Sequence, residues 1–238
     1  MRILVFQHLR SEHPGTFRSH FARDGVQCDA VELDEGDTIP DLDPYDALWV
    51  MGGAMDVWDV DEFPWLIEEK QVIRRWVREM NRPFLGICLG HQLLADALGG
   101  TCGPQRPPEV GVFETELTGE GQADPLFAGL APKFAALQWH SVRVAQPPQD
   151  ASVLASSPLC HVQAMRAAPR AWGMQYHVEA ENEAVQEWGS IPEYKAALER
   201  TNGEGAMERL QADIAMHAAA FEANAAIVYR NFMQLARV

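Results

Sequence analysis

The segment Gly86-Ile87-Cys88-Leu89-Gly90-His91-Gln92 sets a cysteine between two glycines. It falls where an apolar run of strand length, Pro83-Phe84-Leu85-Gly86-Ile87, gives way to the helical spacing of Leu89, Leu93, Ala97 and Leu98. A thiol at such a junction is a candidate nucleophile. Flanking glycines let the backbone turn sharply and let a substrate carbonyl come close. The free N–H groups and positive dipole end of the following helix favour a thiolate and a developing oxyanion. Taken alone, the pattern fits a buried small hydrophobe equally well. A second segment, Ala171-Trp172-Gly173-Met174-Gln175-Tyr176-His177-Val178-Glu179, reads as a short strand closing on a polar tip. Residues two apart on a strand share a face, so Glu179 is expected beside His177, fixing its tautomer while the ring faces the thiol. Cys88, His177 and Glu179 then supply nucleophile, base and orienting carboxylate for acyl transfer. His140 is the rival base, but no carboxylate stands two residues from it.

These two segments closely resemble the signature motifs of class I glutamine amidotransferases. Two further stretches extend the resemblance: Met51-Gly52-Gly53-Ala54-Met55 is similar to the family's Gly-Gly loop, and Leu137-Gln138-Trp139-His140-Ser141-Val142 to its substrate-carboxylate segment. The four occur in family order across about residues 46 to 180. Ala54 and Val178 stand where many relatives have proline and Asp56 where many have serine. Prolines stiffen backbone rather than perform chemistry, so these departures bear on loop rigidity. The resemblance implies an oxyanion hole from the N–H groups of Gly53 and Leu89. It also implies substrate contacts from Gln92, one helical turn beyond Cys88, and from a loop bearing His140, Ser141 and Val142. The reaction it implies is hydrolysis of a γ-glutamyl amide through a Cys88 thioester, releasing ammonia for an acceptor. No metal or organic cofactor is called for. A γ-glutamyl peptide hydrolase acting alone shares this acyl chemistry, and a non-catalytic regulatory or binding subunit could keep the fold. Relatives of the GMP synthetase kind pass ammonia to a synthetase domain, which the residues after the last motif are too few to form, so a separate acceptor subunit is one expected partner.

Composition narrows the partners. Thirty-four acidic against nineteen basic residues give a formal charge of −15, which opposes nucleic-acid binding and suits a neutral or zwitterionic small substrate. No apolar stretch reaches membrane-spanning length, and Met1 to His8 is too brief for a signal peptide, so a cytoplasmic protein is expected. The four cysteines, Cys28, Cys88, Cys102 and Cys160, show no Cys-x-x-Cys pair, suggesting neither a disulfide framework nor zinc. His8, His13, His20, His161 and His217 show no ligand spacing and are given no role.

The elements that must position the candidate site read as α/β. Strand-like runs at 2 to 7, 26 to 33, 46 to 51 and 83 to 87 alternate with helical patterns, the order of a parallel sheet. One helix carries Phe17 and Phe21 and ends at Gly25. A second follows Pro64, with Val72, Ile73, Trp76, Val77 and Met80 inward and Arg74, Arg75 and Arg78 outward. Shorter runs around 109 to 117, 133 to 144, 151 to 155, 161 to 166 and 171 to 177 suggest added, partly antiparallel strands. The stripe Met207, Leu210, Ile214, Ala218, Phe221, Ala225, Val228, Phe232 and Leu235 marks a long amphipathic helix, facing either the core or a dimer partner. Together with the resemblance, this points to a flavodoxin-like three-layer sandwich with a mostly parallel sheet. We expect one domain over 1 to 238, with a core of about 1 to 200 and a helical extension over 204 to 237.

Overall fold

The computed structural model describes residues 1–237. Nine strands, β1 (Arg2–Gln7), β2 (Gln27–Glu32), β3 (Ala47–Val50), β4 (Phe84–Ile87), β5 (Thr101–Leu117), β6 (Lys133–Gln146), β7 (Ser152–Ser156), β8 (Ala164–Ala168) and β9 (Ala171–Met174), form one sheet. Their order is β2-β1-β3-β4-β9-β8-β7-β5-β6. The first five in that order are mutually parallel, and from β9 outward every pairing is antiparallel. The helices are α1 (Phe17–Asp24), α2 (Trp65–Arg74), α3 (Leu89–Ala97), α4 (Gly119–Ala123), α5 (Asn182–Trp188), α6 (Pro192–Asn202) and α7 (Ala206–Ala236). The fold is therefore the flavodoxin-like α/β sandwich expected.

Alternation along the central strands assigns the layers. Ile3, Val5 and Trp49 face one side, where α1 contributes Phe17 and Phe21 and α7 contributes Val228, Tyr229 and Phe232. Leu4, Phe6, Leu48 and Val50 face the other, under Leu66, Ile73 and Trp76 and the α3 residues Leu93 and Leu94. Burial on both faces explains why these strands read as continuous apolar runs. Trp49 sits at the heart of the first layer, with Phe17, Phe21 and Phe232 each set edgewise against it within 5.3 Å.

Two strands differ from the sequence expectation. β5 begins at Thr101 rather than near 109, since Pro107 and Pro108 fall in a register shift between Pro104 and Glu109 where the ladder is interrupted. β9 stops at Met174, and beyond it His177 is tied to β6 alone, its N–H donating to the Leu137 carbonyl at 2.9 Å.

Candidate active site

Cys88 follows β4 and opens α3 with φ +52° and ψ −104°, a backbone region that non-glycine residues rarely adopt and that costs on the order of 1–3 kcal/mol. Neighbouring strands hold it there. The Cys88 N–H donates to the Met174 carbonyl at 2.8 Å, and the Gly90 N–H to the Met51 carbonyl at 3.1 Å. The flanking glycines meet a different need from the one inferred from sequence. Neither has positive φ. A Cβ on Gly86 would strike the Gly90 carbonyl, and one on Gly90 would strike the Val50 carbonyl. They let α3 press against β3 and β4, and the strain is borne by the cysteine itself.

Gly53 follows β3 at the same edge. A Cβ there would lie 2.7 Å from Leu89 Cδ2, so these two residues are in contact. The Gly53 N–H has no hydrogen-bond acceptor among the described residues, and Leu89 opens α3, where the first N–H groups lack an intrahelical acceptor. The loop is held by His8, given no role from sequence. His8 is fully buried, with Nδ1 2.7 Å from the Gly52 carbonyl and Nε2 3.0 Å from Glu69 Oε1. Burial pushes its imidazole down, but the Glu69 carboxylate outweighs this and the ring is held above its ordinary value. A charged ring donates from both nitrogens, to Gly52 and to Glu69. Its stabilising contribution is complete below the unfolded value and is lost as pH rises through the raised folded one. We expect His8→Asn to lower kcat/KM about tenfold to a hundredfold by loosening the Gly53 loop, with Tm reporting the accompanying loss of stability.

His177 Nδ1 lies 2.8 Å from Glu179 Oε1, both side chains buried. The pairing is the one expected, but its reason differs. These residues lie past the end of β9, so strand alternation does not align them. Glu179 is instead fixed by its backbone, whose carbonyl accepts the Thr16 N–H at 2.9 Å. Gly15 (φ +48°) packs against that same carbonyl, where a Cβ would collide. Burial pushes the His177 imidazole down, but the Glu179 carboxylate and the neighbouring Cys88 sulfur outweigh this and carry it well above its usual value. The charged form of the ring is thus favoured, and it is lost as pH rises through the raised value. Trp188 of α5 covers the ring, its centroid 4.6 Å away.

Cys88, Gly53, Leu89, Gln92, His140, Ser141 and Val142 all line one cavity of about 480 Å³, while His177 and Glu179 stand outside its lining. Gln92 is less free than its resemblance implied. Its amide N–H groups are directed to the Val142 carbonyl at 3.2 Å and to Gln175 Oε1 at 3.1 Å. Gln175, overlooked in the sequence although it lies inside the second motif, carries the link onward, its amide 3.7 Å from Cys88 Sγ. His140, Ser141 and Val142 lie on β6 rather than on a loop. His140 does have a carboxylate, Glu109 Oε2 at 3.1 Å, supplied across the sheet by β5, so the absence of a near-sequence acid was not the right criterion. The His140 Nδ1 is 2.9 Å from the Val142 carbonyl and its Nε2 lies toward Glu109, whereas the His177 Nδ1 is held by Glu179 at 2.8 Å. Trp139 lines the cavity, whereas Trp58 is 44% exposed and does not.

The family model for glutamine amidotransferase class-I matches residues 17–187. The chain belongs to the class I glutamine amidotransferase family. A subunit of the glutamine-hydrolyzing GMP synthase of Sulfolobus acidocaldarius is 32% identical over 155 residues, covering 65% of this chain and 78% of that one. The glutamine-hydrolyzing GMP synthase of Aeropyrum pernix is 38% identical over 48% of this chain, but only 23% of its own length is matched. A glutamine amidotransferase from Thermotoga maritima superposes with TM-score 0.85 at 23% identity, covering 98% of both chains. One from Methylobacillus flagellatus gives TM-score 0.86 at 24% identity over 98% of this chain and 94% of that chain. These two likenesses bear on the fold. The chain is accordingly an amidotransferase-family enzyme with a cysteine-dependent chemistry. No helix among the described residues is long and apolar enough to cross a membrane.

Proposed function

We propose that this amidotransferase hydrolyses a γ-glutamyl amide through a thioester on Cys88. The observation that carries the reading is the strained Cys88 lining a cavity, beside a buried His177 that Glu179 orients. The sulfur attacks the amide carbonyl, and its electron pair forms the C–S bond as the carbonyl oxygen takes up negative charge facing the Gly53 and Leu89 N–H groups. The oxyanion collapses, the C–N bond breaks, and the departing nitrogen takes the His177 proton. Water, losing a proton to His177, then attacks the thioester and returns the sulfur. Glu179 remains a carboxylate throughout, holding the ring by Nδ1. Glu179→Gln is expected to reduce kcat by roughly 10²–10⁴, less than loss of the nucleophile, because the thiol and oxyanion hole stay in place. Steady-state assays with glutamine check this.

The relatives named as GMP synthase subunits favour glutamine as donor and a separate synthetase partner to accept the ammonia. A second reading, hydrolysis of a larger γ-glutamyl compound by this chain alone, is favoured by the cavity. It reaches from Cys88 to Arg200 on α6 and, at about 480 Å³, falls in the roughly 300–1,000 Å³ range of sites for ligands larger than one amino acid. Mass spectrometry of products from glutamine and a panel of γ-glutamyl dipeptides separates the two. Turnover of dipeptides ahead of glutamine selects the second, and slow glutamine hydrolysis with no dipeptide cleavage selects the first.

A further inference from the structure

Glu12 lies just beyond β1, on no motif, and is 1% exposed. Its Oε1 accepts the Tyr194 hydroxyl of α6 at 2.6 Å, and its Oε2 has no hydrogen-bond partner among the described residues. One side-chain donor atom each of Glu12, His177 and Glu179 lies within 4.8 Å of the others. The approach is from a definite side: a Cβ on Gly52 would touch Glu12 Oε2 and lie 3.3 Å from His177 Cε1. Glu12 therefore flanks the edge of the ring near Cε1 while Glu179 holds Nδ1. A buried carboxylate with a free oxygen is costly unless a charge answers it. Among the described residues the cations near it are His177 and His8, and His8 is already paired with Glu69.

We propose that Glu12 is a positioning residue of the amidase site, a second carboxylate that stabilises the charged form of the His177 imidazole, with Tyr194 holding Glu12 in turn. The inference rests on Cys88 and His177 acting as proposed above. Imidazolium forms whenever His177 takes up a proton, from the Cys88 thiol in the first half-reaction and from water in the second, so a negative charge beside Cε1 acts on both. Tyr194 lines the substrate cavity, and Trp188, which covers His177, donates its indole N–H to the Ser11 carbonyl at 3.2 Å. The α5–α6 segment thus clamps the Ser11-Glu12 loop onto the catalytic ring, and its docking is felt as charge at His177. The groups facing that ring are Cys88 from the β4–α3 turn, Glu179 from its own segment and Glu12 from the β1 loop. Facing Glu12 are His177, Tyr194, Glu179 and His8. Burial raises the Glu12 carboxyl above its ordinary value and Tyr194 opposes that rise, so removing the hydroxyl shifts Glu12 toward its neutral form.

The test is an NMR titration of His177 Cε1–H in the full chain, which needs no substrate. Glu12→Gln should lower the pH at which His177 loses its proton by at least about half a unit, since a negative charge has been removed. Tyr194→Phe should shift it the same way by less, and the double variant should match Glu12→Gln alone. The alkaline limb of kcat/KM should move in parallel. If Glu12→Gln fails to fold, Tyr194→Phe, which deletes one hydroxyl, still carries the test. An unmoved His177 titration in the folded variants overturns the proposal, as does a Tyr194→Phe shift that persists without Glu12. Failure of the thioester reading shows separately, as wild-type protein that forms no γ-glutamyl adduct at Cys88.

Discussion

Cys88→Ala and Cys88→Ser each abolish turnover while leaving the fold intact. The sulfur forms the bond on which both half-reactions depend, so the expected loss in kcat is about 10⁶-fold, as for removal of a nucleophile from an acyl-transfer triad. Serine does not rescue. Its hydroxyl lacks the thiol's acidity, and the elbow gives it no stronger base than the imidazole already there. Both replacements change little volume at a site 5% exposed, so thermal unfolding should stay close to wild type. His177→Ala is expected to be nearly as damaging, and combining it with Cys88→Ala to add little, because residues acting as one unit are not additive. Rapid quench with glutamine followed by mass spectrometry is decisive. A γ-glutamyl adduct on Cys28, Cys102 or Cys160 would remove the assignment. Two of those thiols are poor rivals on chemical grounds, since burial pushes Cys102 and Cys160 up to about 12.

Gly90→Ala is the substitution expected to damage the fold most for its size. The added methyl meets the Val50 carbonyl, and backbone at the centre of the sheet cannot move as a flexible side chain can. Either α3 lifts away from β3 or the strand pairing distorts. Overpacking of this kind costs about 3 kcal/mol, and in a chain of this length that corresponds to a Tm lower by roughly 6–12 °C. The kinetic effect should exceed what stability alone explains, because α3 carries the Leu89 N–H and the turn that strains Cys88. Circular dichroism melts together with acyl-adduct formation at low temperature separate the two losses. Unchanged melting would show that the helix does not pack as closely as described.

The sheet and the thiol turn were readable because each leaves a local mark. Strands buried on both faces show as apolar runs, and Cys88 between its glycines follows one of them. The four motifs led to Gly53, Leu89, Gln92 and the β6 residues that line the cavity. His8 and Glu12 left no such mark. A lone histidine and a lone acid in a polar loop are unremarkable until the sheet order places the end of β1 beside that of β3, a long-range fact that spacing does not encode. Their one available signal was that both follow a buried strand at its carboxyl end, the edge at which parallel sheets gather their ligands. Trp188 and Tyr194 were invisible for a similar reason, since Trp188 reaches His177 and Tyr194 reaches Glu12 only because α5 and α6 fold back over β6. The misreading of Gly86 and Gly90 is instructive in another way. Sequence shows that a side chain is missing, but whether for a turn or for close packing depends on what lies opposite.

The core under Trp49 has an implication for how the chain is made. β3, β4 and the thiol turn leave the ribosome early, yet the face of the sheet carrying Trp49 and Trp172 is covered by Phe232, near the end of α7. That end is secured by Arg170, whose guanidinium donates to the Leu235 and Ala236 carbonyls. Until residue 236 has been translated, a broad apolar surface at the centre of the parallel sheet stays uncovered, and contacts of such sequence separation form slowly. The nascent polypeptide is therefore exposed to misassociation between the synthesis of the central strands and that of α7. A chaperone that shields this surface until α7 arrives should raise the yield of soluble protein more than one that acts only after release.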